Sequence, residues 1–443
     1  MGKIRISVIG LGFVGLSLAV VNSVRGFHTI GVDINEGKIN SLNQGKPDIY
    51  EPNLEKYLKK SLKSKNLELT TDIRKAIINS NLIFLTVGTP STNLGTINLD
   101  FIREATKQIH AILKEKSGYH VIVIKSTVIP QTTQLEILPI LQDLIDCKTV
   151  DVLVNPEFLR EGSAINDLEN PHLVVIGEYN KKSGMFLEKY YRSFYSKAFK
   201  IIHTNLSTAE MIKYANNAFL ATKISFINSI ANICQKLPNT DVTVIAAAIG
   251  KDPRIGPSFL NAGPGFGGSC LPKDISALLQ FSKKLGNANI LLEAVKNIND
   301  LQHKKIIELM RQLKVCSRGK TISILGLSFK KGTDDIRSSV SINVVKELTR
   351  LGLKIKVHDP MAMNNFKEIF KDKIIYCNSI KDCLTNSDCC IILTDWDEYK
   401  RLVPGTFEKN MITPNIIDTR RVLNPAKFSK LNFRAIGLGS ELS

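Results

Sequence analysis

The most specific local pattern in the chain is a thiol framed by glycines and followed by a charged pair, Gly263-Pro264-Gly265-Phe266-Gly267-Gly268-Ser269-Cys270-Leu271-Pro272-Lys273-Asp274. Glycines let a backbone come close to a ligand, and a cysteine just ahead of a helix stands where helix N-termini depress a thiol pKa. A thiol that only fills a core needs no such glycine run, so Cys270 reads as a nucleophile for covalent catalysis. Lys213 and Asn217 are four apart in a mostly apolar helical stretch and share one of its faces. Lysine on a helix is usually solvated, but a lysine and a carboxamide side by side can donate to a developing oxyanion. Glu157 and Glu161 in Asn155-Pro156-Glu157-Phe158-Leu159-Arg160-Glu161-Gly162 are also four apart, on one face if the segment is helical. No His pair flanks them, which excludes a zinc site. They fit either acid/base work or a solvated helix face.

A second constellation points to a nucleotide. Gly10-Leu11-Gly12-Phe13-Val14-Gly15 follows the β-branched run Ile4 to Ile9 and opens a helical stretch, Leu16 to Val24. Backbone N–H groups at such a helix start, those of Phe13 and Val14 included, can receive a pyrophosphate. Asp33 ends the next strand, Thr29 to Asp33, at the spacing where an acid bonds a ribose 2′-hydroxyl, which favours NAD over NADP. Lys38 lies just beyond, within reach of the adenosine side. Val87-Gly88-Thr89-Pro90 and Lys125-Ser126-Thr127-Val128-Ile129-Pro130 each follow a predicted strand, at the sheet edge where doubly wound folds bind ligands. Thr89, Pro90 and Thr127 are either loop punctuation or ligand contacts, Thr127 offering a hydroxyl toward the nicotinamide and the reacting carbon.

The elements that must position these residues repeat. Apolar runs at Asn81 to Val87, Tyr119 to Ile124, Val150 to Val154 and Leu173 to Ile176 alternate with helical stretches, which predicts a mostly parallel sheet covered on both faces. From Thr208 to Cys234 apolar residues recur at helical spacing over about seven turns, long enough to bridge two domains. A shorter helix around Val242 to Ile249, a Gly/Pro-rich loop from Gly256 to Gly268 and a helical region from Lys273 to Leu313 follow. Strand-like runs then restart at Thr321 to Leu327, Lys354 to Asp359 and Cys389 to Leu393, in a pattern similar to the first third. The expected fold class is α/β, with two Rossmann-like doubly wound domains joined by a long central helix and a helical middle domain. The expected bounds are 1–200 for the NAD-binding domain, 201–300 for a central helical domain and 301–443 for a second Rossmann-like domain.

Composition bounds the function. The 443 residues carry 59 Lys+Arg against 41 Asp+Glu, a formal net charge of +18, while 43% hydrophobic and 23% charged residues are ordinary globular values that exclude extensive disorder. No apolar run reaches the roughly 18 residues of a membrane span, and the N-terminal apolar run lacks the cleavage site of a signal peptide. Eight cysteines without CxxC spacing, two of them adjacent at Cys389-Cys390 in an apolar run, read as reduced thiols of a cytoplasmic protein. The lysines sit between helically spaced leucines, as at Lys56 to Lys65, which reads as a solvated surface. A rival reading is a basic protein that binds nucleotides or nucleic acid, but 7% aromatics, one Trp and a dispersed lysine excess offer no base-stacking platform.

The ordered set Gly10–Gly15, Val87–Pro90, Ser126–Val128, Asn155–Gly162, Ala209 to Asn217, Gly265–Asp274 and Phe329-Lys330-Lys331 through Arg337 resembles the nucleotide-sugar dehydrogenases of the UDP-glucose/GDP-mannose dehydrogenase family over nearly the whole chain. The resemblance implies four-electron oxidation of the sugar 6-hydroxymethyl of UDP-glucose to a carboxylate, with two NAD+ and one water and the aldehyde held on the enzyme. Cys270 would form a thiohemiacetal and then a thioester. Lys213 and Asn217 would stabilise oxyanions, Asp274 would position water or accept protons, Thr127 would act through a water, and Glu157 would serve thioester hydrolysis. Glu161 would sit near the nicotinamide and Arg337 would meet the NAD pyrophosphate. Phe158, Leu159, Phe259, Asn261, Gly265, Phe266, Lys330 and Arg420 would line the sugar-nucleotide site, and Arg254 would reach the substrate of a neighbouring subunit. The protein would be a homo-oligomer, at least a dimer, with no metal, nucleic acid or membrane. Asn261 stands where some members carry Lys, so GDP-mannose and UDP-N-acetylhexosamine stay open as substrates, as does a two-electron alcohol dehydrogenase that would not need Cys270.

Overall fold

Short β-branched runs form the strands of two sheets in the computed structural model, which describes residues 4–195 and 199–439. The chain divides into two compact units, Met1–Asn216 and Asn217–Ser443. In the first, β1 (Ile6–Ile9), β2 (Thr29–Val32), β3 (Leu67–Thr70), β4 (Leu82–Leu85), β5 (His120–Ile124), β6 (Val150–Val154), β7 (Leu173–Glu178) and β8 (Lys200–Thr204) lie in the order β3-β2-β1-β4-β5-β6-β7-β8. The first six are parallel, β7 runs antiparallel to β6, and β8 is parallel to β7.

Side chains alternate across this sheet because the pleat has a period of two. Ile6, Val8, Leu82 and Phe84 enter one apolar layer, and Ile9, Ile83 and Leu85 enter the other. Strands buried on both faces must be apolar throughout, which is why these runs lack polar alternation.

The second unit contains β9 (Thr321–Leu325), β10 (Lys354–His358), β11 (Ile375–Tyr376), β12 (Cys389–Ile392), β13 (Asn415–Asp418) and β14 (Asn432–Ala435), all parallel, in the order β11-β10-β9-β12-β13-β14. This is the order of β3-β2-β1-β4-β5-β6 over again, so the internal similarity expected from sequence is a shared doubly wound topology. The adjacent Cys389 and Cys390 enter opposite layers of this sheet, both fully buried.

Between the sheets along the sequence come the long helix Leu206–Cys234 and the helices Val242–Ile249, Leu271–Lys284 and Ile290–Gln312. The helical region expected over Lys273 to Leu313 is thus two helices. Gly286 takes φ +74°, and the Asn289 side chain accepts from Leu292 N–H to start the second. Residues 155–160 are irregular, so Glu157 and Glu161 do not share a helix face as anticipated. Pro156 disfavours helical backbone at Asn155, Gly162 takes φ +77°, and the helix begins only at Ala164. No described helix is long and apolar enough to cross a membrane.

Candidate active site

The turn after β1 is shaped by its glycines. Gly10 has φ +94°, and a Cβ on Gly15 would lie 1.9 Å from the Gly10 carbonyl oxygen, so the helix Phe13–Val24 packs too closely for any larger residue. A Cβ on Gly12, the residue ahead of that helix, would meet nothing within 4 Å. The backbone is therefore open at the one glycine where a pyrophosphate must approach the Phe13 and Val14 end of the helix, and the site fits a dinucleotide. Asp33, just past β2, accepts from Leu11 N–H (3.1 Å) and Asn35 N–H (3.1 Å), which turns its carboxylate toward the same loop. Lys38 pairs with Asp48 (3.1 Å) and stands 3.8 Å from Asp33.

Asp33→Ala is expected to raise the NAD dissociation constant by roughly 10–100-fold, the worth of a charge-assisted hydrogen bond of about 1.5–3 kcal/mol. Titration calorimetry reads it directly; unchanged affinity would remove Asp33 from the ribose site.

The loops after β4 and β5 are tied to each other at the same sheet edge. Thr89 Oγ1 donates to the Thr127 carbonyl (2.8 Å) and Ser126 Oγ to the Val87 carbonyl (2.7 Å), with Pro90 following Thr89 on the exposed side of the Val87–Pro90 loop. Thr127 itself is half-buried. The turn after it is held by Glu210 of the long helix, a buried carboxylate that accepts Gln131 N–H (2.6 Å) and Thr133 N–H (2.9 Å). Burial pushes Glu210 up to about 7, against the pull of those two bonds. A single π-helical turn, Thr133–Ile137, follows.

Glu157 and Lys213 meet in the interior of the first unit. Lys213 Nζ lies 2.9 Å from Glu157 Oε1, with both side chains at least nine-tenths buried, and Leu159 N–H donates to Glu157 Oε2 (2.5 Å). Burial pushes the Glu157 carboxyl up, but the Lys213 charge and hydrogen bond, the Leu159 N–H and the Lys125 charge outweigh it and hold the group below its ordinary range. Lys213 also stands 5.5 Å over the Phe158 ring. Glu161 is half-buried farther along the segment, where Glu51 accepts Gly162 N–H and Ala164 N–H (both 2.7 Å) and fixes the turn.

In the second unit the thiol is placed as the sequence implied. Cys270 is exposed, stands immediately ahead of the helix Leu271–Lys284, and has Ser269 Oγ 3.5 Å from its Sγ. Asp274, one turn on and buried, accepts from Asn217 Nδ2 (2.7 Å) and Lys273 Nζ (2.7 Å). Two of the glycines let the loop pack closely against protein. A Cβ on Gly267 would lie 2.4 Å from the Ser338 carbonyl oxygen, and one on Gly268 2.8 Å from the Phe329 ring. Gly268 N–H donates to the Arg337 carbonyl (2.8 Å).

Three carboxamides that sequence reasoning passed over clamp the same loop. Asn228 accepts Gly263 N–H (2.8 Å) and Gln302 donates to the Gly263 carbonyl (3.1 Å). Asn299 accepts Phe266 N–H (2.7 Å) and donates to its carbonyl (3.1 Å), with Gly265 immediately ahead at φ +114°. Each sits 30 or more residues from its partner, so no local pattern marks it.

Most of the remaining predicted contacts lie in this unit too. Phe266 is buried; Phe259 is half-buried at φ +66°, a strained value for an aromatic residue, and Asn261 is exposed. Arg420 donates to the Leu393 and Phe329 carbonyls (2.8 and 3.1 Å), and Lys330 stands 5.4 Å over the Phe329 ring. Arg337 is forked onto Asp335 and Arg254 onto Asp252, both with largely exposed side chains. Leu159, in the first unit, is half-buried beside Phe158.

The second sheet retains the acid after its second strand but uses it internally. Asp359 is buried and accepts Leu327 N–H (2.7 Å), Ser328 N–H (3.1 Å) and Trp396 Nε1–H (3.0 Å) on one oxygen, and two further backbone N–H groups on the other. Five backbone and indole N–H groups use its lone pairs in this way, where Asp33 accepts two.

Comparison with known proteins finds one family along the whole chain. Models of the UDP-glucose/GDP-mannose dehydrogenase family match its NAD binding domain at residues 4–195, its central domain at 207–301 and its UDP binding domain at 323–425. UDP-glucose 6-dehydrogenase TuaD of Bacillus subtilis is 41% identical over 421 residues, covering 95% of this chain and 90% of that protein. A UDP-glucose dehydrogenase from the archaeon Pyrobaculum islandicum superposes with a TM-score of 0.90 at 32% identity, over 99% of this chain and 97% of its own. A UDP-D-ManNAc dehydrogenase from Pyrococcus horikoshii gives 0.82 at 26% identity, over 98% and 99%.

Proposed function

The chain belongs to the UDP-glucose/GDP-mannose dehydrogenase family, and we propose that it oxidises UDP-glucose to UDP-glucuronate through a covalent intermediate on Cys270. The observation that carries this is the exposed thiol at a helix N-terminus, a group that a two-electron alcohol dehydrogenase would not need. The 41% identity to a UDP-glucose 6-dehydrogenase supports the choice of sugar.

The overall change is R–CH2OH + 2 NAD+ + H2O to R–COO− + 2 NADH + 3 H+. NAD, when bound, accepts the hydrides; Gly10, Gly12, Phe13, Val14, Gly15 and Asp33 would hold it. Loss of the first hydride and the hydroxyl proton from the 6-carbon leaves an aldehyde. The Cys270 sulfur then adds to the aldehyde carbon, forming a C–S bond and an oxyanion that N–H donors of Lys213 and Asn217 stabilise. Loss of a second hydride from that carbon leaves a thioester. Glu157, kept ionised by Lys213, takes a proton from the water that attacks the thioester; the C–S bond breaks and the thiol is restored. Asp274, fixed through both oxygens by Asn217 and Lys273, is the second acceptor for released protons. The test is the yield of NADH per sugar.

The active form is proposed to be at least a dimer, in a cytoplasmic location that fits eight thiols, five of them buried. In the second unit, Phe219, Phe226 and Ile233 recur every seventh residue on the long helix with exposures of 65%, 48% and 54%. Such an unpartnered apolar stripe suits a second copy of the same helix. Phe226→Asp is expected to shift the protein to monomer in analytical ultracentrifugation; an unchanged mass would place the contact elsewhere.

A further inference from the structure

We propose that Lys125 is a positioning residue of this site: it fixes the Asn155-Pro156-Glu157 turn and supplies a second positive charge beside the Glu157 carboxylate. The inference rests on the hydrolytic role proposed for Glu157 and extends it to a residue with no role in the reaction described above.

Lys125 follows β5 directly and is buried. Its Nζ donates to Asn155 Oδ1 (2.8 Å) and lies 3.4 Å from the Asn155 carbonyl oxygen. Asn155, itself buried just past β6, also accepts from the Tyr191 hydroxyl and donates to the Val175 carbonyl (2.7 Å). The residue two positions ahead of Glu157 is thus held by three different parts of the fold, and Lys125 supplies one of those contacts.

The hydrogen-bond acceptors of the ammonium are neutral oxygens, and burying a charge against neutral partners is costly. The charges acting on it are Glu157, which favours its protonated form, and Lys213, which opposes it. Asp167, His172, Tyr191 and Tyr195 line the same cavity of about 40 Å3, which is large enough for a water. Asp167 is paired with Arg160 at 2.6 Å, and burial pushes both tyrosines up, which leaves them neutral. The interior therefore sets two ammonium groups against one carboxylate. Burial brings Lys125 down to about 8, so it carries its charge at neutral pH and surrenders it in mild alkali.

The test is the pH dependence of turnover from about pH 3 to 9 for Lys125→Met, Lys125→Arg and Glu157→Gln, a range that takes in the acid limb of a Glu157 carboxyl held below its ordinary value, with melting temperatures alongside. Removing the Lys125 charge raises the Glu157 pKa. Lys125→Met is therefore expected to move the acid limb of kcat upward by about one pH unit; because the turn that carries Glu157 also loses its tie to Asn155, kcat at neutral pH is expected to fall roughly tenfold, with KM for UDP-glucose changed much less. Lys125→Arg, which keeps the charge, is expected to leave the limb in place, and a limb that moves in this variant overturns the proposal even if the Met variant does not fold. A Met variant that only melts earlier, with its acid limb unmoved, reduces Lys125 to a structural residue. If Glu157→Gln turns over like the parent, the hydrolytic role of Glu157 falls and takes the Lys125 proposal with it. If Glu157→Gln is inactive while Lys125→Met keeps the parental limb, only the Lys125 proposal fails.

Discussion

Cys270→Ala is expected to abolish formation of the carboxylate, lowering turnover to acid by roughly 10^3-fold or more, as loss of a covalent nucleophile does. The fold should tolerate the change, because the side chain is exposed at the start of its helix. NAD affinity should be unaltered, since the glycine turn and Asp33 are built from other elements. Chromatography of the nucleotide sugars together with NAD titration checks both halves. Acid produced at the parental rate would remove the thiol from the mechanism, whereas lost NAD binding would mean that the substitution had disturbed more than the chemistry.

Lys213→Met has two separable consequences. Turnover should fall by about 10^2–10^3, the usual cost of deleting one oxyanion donor. Stability should fall by about 3–5 kcal/mol, because the buried Glu157 carboxylate loses its closest charge partner. The pH dependence has a definite sign. Glu157 titrates below its ordinary value of 4.5 in the folded protein, so its contribution to stability is present above pH 4.5 and is lost as the pH falls through the folded value. Without Lys213 the largest pull on the carboxyl is gone and burial works against the Leu159 N–H and the Lys125 charge that remain, so the variant loses less stability on acidification than its parent. Adding Glu157→Gln to Lys213→Met should restore most of the stability and none of the turnover. Thermal melts from pH 4 to 8 check this, and a single variant as stable as its parent would show that the pair is not coupled.

Much of the site's frame is local and therefore legible in the sequence. The turn at Gly10–Gly15 depends on steric rules that act within a few residues, and Asp33 follows at a fixed strand length. The position of Cys270 at a helix start follows from Pro272 in the first turn. What escaped notice depends on distance or on competition between local signals. The lysine at 125 reads as a strand end, and only the fold shows that its ammonium reaches Asn155, 30 residues away. The same holds for Glu210 under the Thr127 loop and for the carboxamides of Asn228, Asn299 and Gln302 around the thiol loop. Glu157 and Glu161 have helical spacing, but Pro156 and Gly162 prevail over it, and burial of Glu157 against Lys213 replaces a shared surface face. Strand β8 is largely exposed and β11 has two residues, so neither carries the apolar run that revealed their neighbours.

The most direct test of the central claim is the amount of NADH formed per molecule of sugar nucleotide at limiting substrate, with UDP-glucose, GDP-mannose and UDP-N-acetylglucosamine compared side by side. Four-electron oxidation through a Cys270 thioester predicts two NADH per UDP-glucose and little or none from the other two. One NADH per sugar, with free aldehyde accumulating, would contradict the covalent mechanism, and two NADH from GDP-mannose or the N-acetyl sugar alone would contradict the assigned substrate.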